Sequence, residues 1–158
     1  MTTLVGIQSN LTNAVKELIE LEYEAVESYE TAVSKLTHNN ECKMHLISFL
    51  EDHKRHISEL SALLKQHNEE PPKEASKSKQ WIKSGKVTVA NIIGDEFIIA
   101  AMKGNEFDTN VAYERIYTRE DGWKDVYEVI RRGLEDEKRH KKWLEERPQI
   151  FHVHISVG

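Results

Sequence analysis

Six side chains of two chemical kinds stand out: the carboxylates Glu22, Glu106 and Glu137, and the imidazoles His53, His56 and His140. Each falls where the neighbouring helical turns supply Leu, Ile, Val or Phe. Burying an unpaired carboxylate costs several kcal/mol, and three in one core repel each other unless something compensates. Cations are the simplest compensation. Glutamate oxygens and imidazole nitrogens are also the ligands that Fe, Mn and Zn accept. In Glu137-x-x-His140, residues i and i+3 lie on one side of a helix. One such motif means little in a Glu-rich chain with eight histidines, and a single histidine on an apolar face is more often a satisfied core residue. The argument rests on how the six are arranged.

That arrangement repeats. "LEDHKRH" (Leu50 to His56) returns as "LEDEKRH" (Leu134 to His140), a shift of 84 residues, differing only at His53 against Glu137. The same shift places Glu22 on Glu106, Tyr29 on Tyr113, Glu30 on Glu114 and Leu60 on Leu144. Both Glu22 to His56 and Glu106 to His140 span 34 residues. The chain therefore reads as one helical hairpin duplicated about a pseudo-twofold axis, with the six polar residues at one level of the seam.

Helices must position them. Four segments step by four and three, the seam spacing of packed bundles. The first runs from about Asn10 to Leu36, the second from about Asn40 to Gln66 and the fourth from about Gly122 to Glu146. The third holds Ile92, Ile99, Met102, Glu106, Thr109, Tyr113 and Ile116 in step. Its expected start is about Val87, with Gly94 or Asp95 as the alternative, because "KVTVANII" is β-branched. Asn39 or Asn40 is the expected cap of the second helix and Asp121 that of the fourth. The expectation is an all-α four-helix bundle of two antiparallel hairpins, about 10–67 and 87–147. A long crossover at about 68–86 joins them, all within one domain over 1–148 with a tail at 149–158. Glu24 and Asp108 are expected on the solvated surface, as are Glu51 and Glu135 beside Lys54 and Lys138. Cys42 is expected to be a buried apolar-like residue, Trp123 and Trp143 to sit at the core rim, and Trp81 to anchor the crossover. His152-x-His154 is at most an adventitious metal site.

Composition narrows the class. The chain has 158 residues, 31% charged, with three prolines and a net charge of −5. It is long enough for a real core, and its acidity argues against a nucleic-acid partner. One cysteine excludes an internal disulfide and Cys-rich metal sites. No signal peptide and no membrane span is expected, so a cytoplasmic protein is the default reading.

Two hairpins with a long crossover, a Glu on helices one and three, and "DEKRH" (Asp136 to His140) resemble the ferritin-like di-iron carboxylate proteins, of the rubrerythrin and bacterioferritin kind. Bacterial ferritin-like stress proteins of unassigned activity are the nearest in pattern. The resemblance covers about residues 10–146 and implies that Glu137 bridges two metals, that His140 and His56 bind one each, and that Glu22 and Glu106 are terminal ligands. It further implies that Asp52 and Asp136 orient the histidines across the site and that Tyr29 and Tyr113 are candidate redox residues near it. A di-iron centre, with Mn or Zn as substitutes, then implies ferroxidase or peroxidase chemistry with O2 or peroxide. A homodimer or small homo-oligomer in stress or iron handling is the setting. His53 departs from the pattern, since imidazole cannot bridge two metals as a carboxylate does. Three outcomes follow: a binuclear site with His53 as an extra terminal ligand (the favoured one), one tight and one weak metal, or a single metal. A non-catalytic structural bundle or a relic site held by hydrogen bonds is the competing reading. The lone cysteine excludes a rubredoxin-like centre, and the short tail after Pro148 argues against a cage-forming ferritin.

Overall fold

A computed structural model describes residues 2–76 and 89–147. Trp81, His152, His154 and the tail fall outside those residues. Four α-helices form an all-α bundle: α1 (Leu11–Lys35), α2 (Asn40–Gln66), α3 (Asp95–Tyr117) and α4 (Lys124–Glu146), with a short 3-10 turn at Val89–Asn91. Helix α1 packs on α2, and α3 on α4, as two antiparallel hairpins. Contacts α1 to α3 and α2 to α4 then join the hairpins into one bundle. The two ends of the long connection lie at opposite ends of α1. Glu69 pairs with Lys16 at 3.2 Å near its start, and Lys35 donates to the Ala90 carbonyl at 2.7 Å at its end. Some 19 residues of helix separate these lysines, about 28 Å. Among the described residues no helix is long and apolar enough to cross a membrane.

The seam pattern matches the burial. Leu11, Val15, Leu18, Glu22, Ala25, Tyr29 and Ala32 on α1 are buried, as are Cys42, Leu46, Phe49, His53, His56, Leu60 and Leu63 on α2. Asn10 caps α1 by accepting from the Asn13 amide at 2.8 Å, and Asn39 caps α2 through the Cys42 amide at 3.0 Å. These caps satisfy amides that a helix start otherwise leaves unpaired. Trp123 and Trp143 sit at the core rim. Glu51 and Glu135 are exposed.

Three expectations require correction. The third helix begins at Asp95, the alternative start, rather than at about Val87, because Gly94 takes φ +103°, a conformation that breaks the helix and that other residues rarely adopt. Asp95 then accepts from the Thr37 and His38 amides at 3.3 and 3.0 Å, tying this start to the α1–α2 turn. Asp121 does not cap α4. Arg119 grips both its oxygens at 2.8 Å, and the position before the helix is taken by Trp123, which makes no capping bond and stacks on His67 at 3.7 Å. Glu24 and Asp108 are buried rather than solvated. Asp108 accepts from the Thr3 amide at 3.2 Å, while Arg115 and Arg119 hold the carbonyls of Thr3, Val5, Gly6 and Gln8. The chain ahead of α1 is thereby strapped across α3, which gives α3 a second buried face.

Candidate metal centre

Each helix brings its predicted residues to one level: Glu22 from α1, His53 and His56 from α2, Glu106 from α3, Glu137 and His140 from α4. All six are buried, and Glu22, His53, Glu137 and His140 have no exposure at all. Their ligand atoms form two overlapping groups. Glu22, His53, His56 and Glu137 make one; His53, Glu106, Glu137 and His140 make the other. Within each group one atom per residue lies within 4.8 Å of the rest.

Second partners fix the rings of His56 and His140. His56 Nε2 lies 2.9 Å from Asp136, and His140 Nε2 lies 2.8 Å from Asp52, each pair crossing from one hairpin to the other. A proton on Nε2, donated to the aspartate, leaves Nδ1 facing the site. Arg55 donates to Asp136 at 2.6 Å and Asp52 at 3.2 Å, and Arg139 to Asp52 at 2.8 Å and Asp136 at 3.0 Å. This ring of two arginines and two aspartates closes one side of the centre. The arginines were overlooked in the sequence, although the repeated "KRH" carried them in both copies.

His53 stands between the hairpins. Its Nδ1 is 2.6 Å from Glu22 Oε2 and its Nε2 3.1 Å from Glu106 Oε1. Burial opposes its charge, but the carboxylates of Glu137 and Glu22, with the bond to Glu106, raise its pKa well above the usual imidazole value. An imidazolium here donates to both Glu22 and Glu106. Burial likewise opposes charge on His56, yet Glu22 and Asp136 push its pKa up to about 12. His140 is also raised: its bond to Asp52 and the nearby Glu106 carboxylate overcome the effect of burial. Glu22 and Glu106 are pushed up by burial but pulled well below the carboxylate range by the histidines. Glu137 goes the other way, to about 7, through burial and the neighbouring Glu106 charge.

Neighbours on α3 and α1 divide the remaining atoms. The Thr109 hydroxyl donates to Glu137 Oε2 at 2.6 Å, and the Asn110 amide bonds the carbonyls of Glu106 and Glu137 at 2.8 and 3.0 Å. The Tyr29 hydroxyl donates to Glu106 Oε1. Tyr113, its counterpart by the repeat, makes no hydrogen bond and lies edge-on to His56. Burial, with the charge of Glu106 for Tyr29 and of Glu22 for Tyr113, holds both phenols above their ordinary pKa. Thr109 stood on the predicted seam, but spacing alone gave no sign of which oxygen its hydroxyl would take.

Four potential ligand atoms stay buried without a hydrogen bond: Glu22 Oε1, His56 Nδ1, Glu137 Oε1 and His140 Nδ1. Each such atom costs about 1–3 kcal/mol when left unmade. They converge. His56 Nδ1 is 3.4 Å from Glu22 Oε1 and 3.3 Å from Glu137 Oε1, and His140 Nδ1 is 3.3 Å from Glu106 Oε1. Such separations suit two ligand atoms sharing one ion with bonds of about 2.1 Å. The residues present therefore fit a divalent transition metal.

A family model described as a domain of unknown function (DUF2383) matches residues 10–118, from the start of α1 through α3. No curated protein matches the chain, and no solved structure does.

Proposed function

The chain belongs to the DUF2383 family, whose description assigns no activity, and we propose that it is a metal-binding four-helix protein whose buried centre takes divalent iron. The observation that carries this reading is the convergence of three buried ligand atoms without a hydrogen bond, Glu22 Oε1, His56 Nδ1 and Glu137 Oε1, with His140 Nδ1 facing Glu106 in the second group. No hydrogen bond relieves those three, and one cation would relieve them together. Iron fits a mixed carboxylate and imidazole set; Mn and Zn accept it too. Glu22, His56 and Glu137, with Glu106 and His140, would hold metal, and His53 is the extra terminal ligand of a binuclear arrangement. Bound iron supplies one-electron chemistry toward O2 or peroxide, which is the ferroxidase or peroxidase reading, in iron handling or oxidant stress. Asp52 and Asp136 keep the rings oriented. Tyr29 holds a proton at Glu106, and the apolar residues around the seam exclude bulk water. A pairing of two such bundles into a homodimer is part of this reading.

A second reading has a specific observation behind it. His53 bridges Glu22 and Glu106 by hydrogen bonds without any metal, which favours a structural bundle with no turnover. Two measurements separate them. Protein purified from iron-supplemented cells should carry one to two iron atoms per chain, and the ferrous form should consume peroxide faster than free ferrous ion. Metal-free protein that cannot be loaded would overturn the first reading. Loaded protein no faster than free iron would leave binding without the chemistry.

A further inference from the structure

The two overlapping ligand groups are not equivalent, although the repeat makes them so in sequence. In the group around His140, Glu106 Oε1 already accepts from the Tyr29 hydroxyl and from His53 Nε2. In the group around His56, Glu22 Oε1 accepts no hydrogen bond: its neighbour is His56 Nδ1 at 3.4 Å, and the Tyr113 hydroxyl, the counterpart of Tyr29 by the repeat, makes none. Glu137 belongs to both groups, and the closest contact of the Thr109 hydroxyl is to Glu137 Oε2, with Glu106 Oε2 farther off at 3.4 Å. With Oε2 held by the Thr109 hydroxyl at 2.6 Å, Oε1 is the oxygen without a hydrogen bond, and it lies 3.3 Å from His56 Nδ1 and 3.4 Å from His53 Nδ1. Position 109 corresponds by the repeat to Ala25, which has no hydroxyl to offer.

We propose that Thr109 is a positioning residue that points the Glu137 carboxylate at His56 and Glu22, so that the first metal binds at Glu22, His56 and Glu137 and the corner at Glu106 and His140 fills second. This rests on the metal-binding reading. A hydroxyl that fixes a ligating carboxylate sets both its direction and its donor strength. His53 engages both corners, through Glu22 Oε2 at 2.6 Å and Glu106 Oε1 at 3.1 Å, but only the second must also compete with Tyr29, and for the same Glu106 oxygen, so its affinity is the lower one.

The test uses the full chain, stripped of metal with a chelator and titrated with zinc, while histidine ring 15N resonances are followed. At half an equivalent, Nδ1 of His56 should shift while Nδ1 of His140 holds its position. Thr109→Val, which keeps the shape and removes the hydroxyl, should weaken the first zinc by about tenfold to a hundredfold. Thr109→Ser should restore it, and circular dichroism should show both variants helical. The inference is overturned if His140 shifts first, if both rings shift together, or if Thr109→Val binds zinc as tightly as the wild type. Zinc that binds in one of those patterns leaves the metal reading standing. Zinc that does not bind at all removes both.

Discussion

The first hairpin and the second are copies in sequence, yet they present different surfaces to the centre. At the bridging level the first offers His53 and the second Glu137. One turn away, Phe49 in α2 corresponds to Gly133 in α4. Tyr29 meets the Phe49 ring edge-on at 6.4 Å and reaches Glu106. Tyr113 lies over Gly133, so close that an added Cβ would come within 2.4 Å of its ring, and its hydroxyl bonds nothing. Along the other pair, α1 has Leu21, Ala25 and Val26 where α3 has the buried polar Asn105, Thr109 and Asn110. The difference teaches that a duplicated scaffold keeps its carboxylates and imidazoles at one level while a few substitutions redistribute the hydrogen bonds among them.

Making the first hairpin like the second is the strongest way to break this comparison. His53→Glu removes the group that holds Glu22 and Glu106 and adds a fourth carboxylate to the centre beside Glu22, Glu106 and Glu137. Metal-free protein should lose about 3–5 kcal/mol, measured by urea unfolding, and added Fe(II) or Mn(II) should recover much of it. Equal stability of the metal-free forms would mean that His53 does not hold the hairpins together.

Gly133→Ala tests the other side. Ala is the better helix former by about 1 kcal/mol, but its methyl collides with the Tyr113 ring. A net loss of about 1–3 kcal/mol is expected from overpacking; a gain would show that Tyr113 has room to move.

The pH dependence of metal affinity sharpens the view of the His56 corner. His56 holds its proton up to about 12 and Glu137 up to about 7 in the metal-free protein. Metal needs both unprotonated. Affinity should therefore rise with pH, about tenfold per unit above 7 where one proton is displaced, and more steeply below 7 where two are. Calorimetry in buffers of different ionisation enthalpy counts the protons, and a pH-independent affinity would refute the assignment.

The smallest effect separates the tyrosines. Tyr29→Phe removes a buried donor to Glu106 and should cost about 1 kcal/mol, whereas Tyr113→Phe removes a hydroxyl with no partner and should be nearly neutral. Equal losses would mean that the two phenols are equivalent in solution.

Much of this was legible before any coordinates. The four-three step, the 84-residue repeat and the Asn39 cap are local features, and local features survive in a string of letters. The six polar seam residues were legible for the same reason: a charged residue at an apolar position shows by spacing alone. The buried Asp108 was not legible, because its partner Thr3 lies 105 residues away. Asp121 misled for a related reason: a nearby arginine outcompeted the helix end.

The sequence by itself determined that four amphipathic helices carry carboxylates and imidazoles at one level, because helical period and residue type need no knowledge of neighbours. Only the tertiary structure decided which oxygen of Glu137 faces His56, which tyrosine reaches a carboxylate, and where His53 places its two nitrogens. Those choices depend on how far one helix is turned and shifted against another. A hydrogen bond tolerates only a few tenths of an ångström, while the seam pattern tolerates a whole turn.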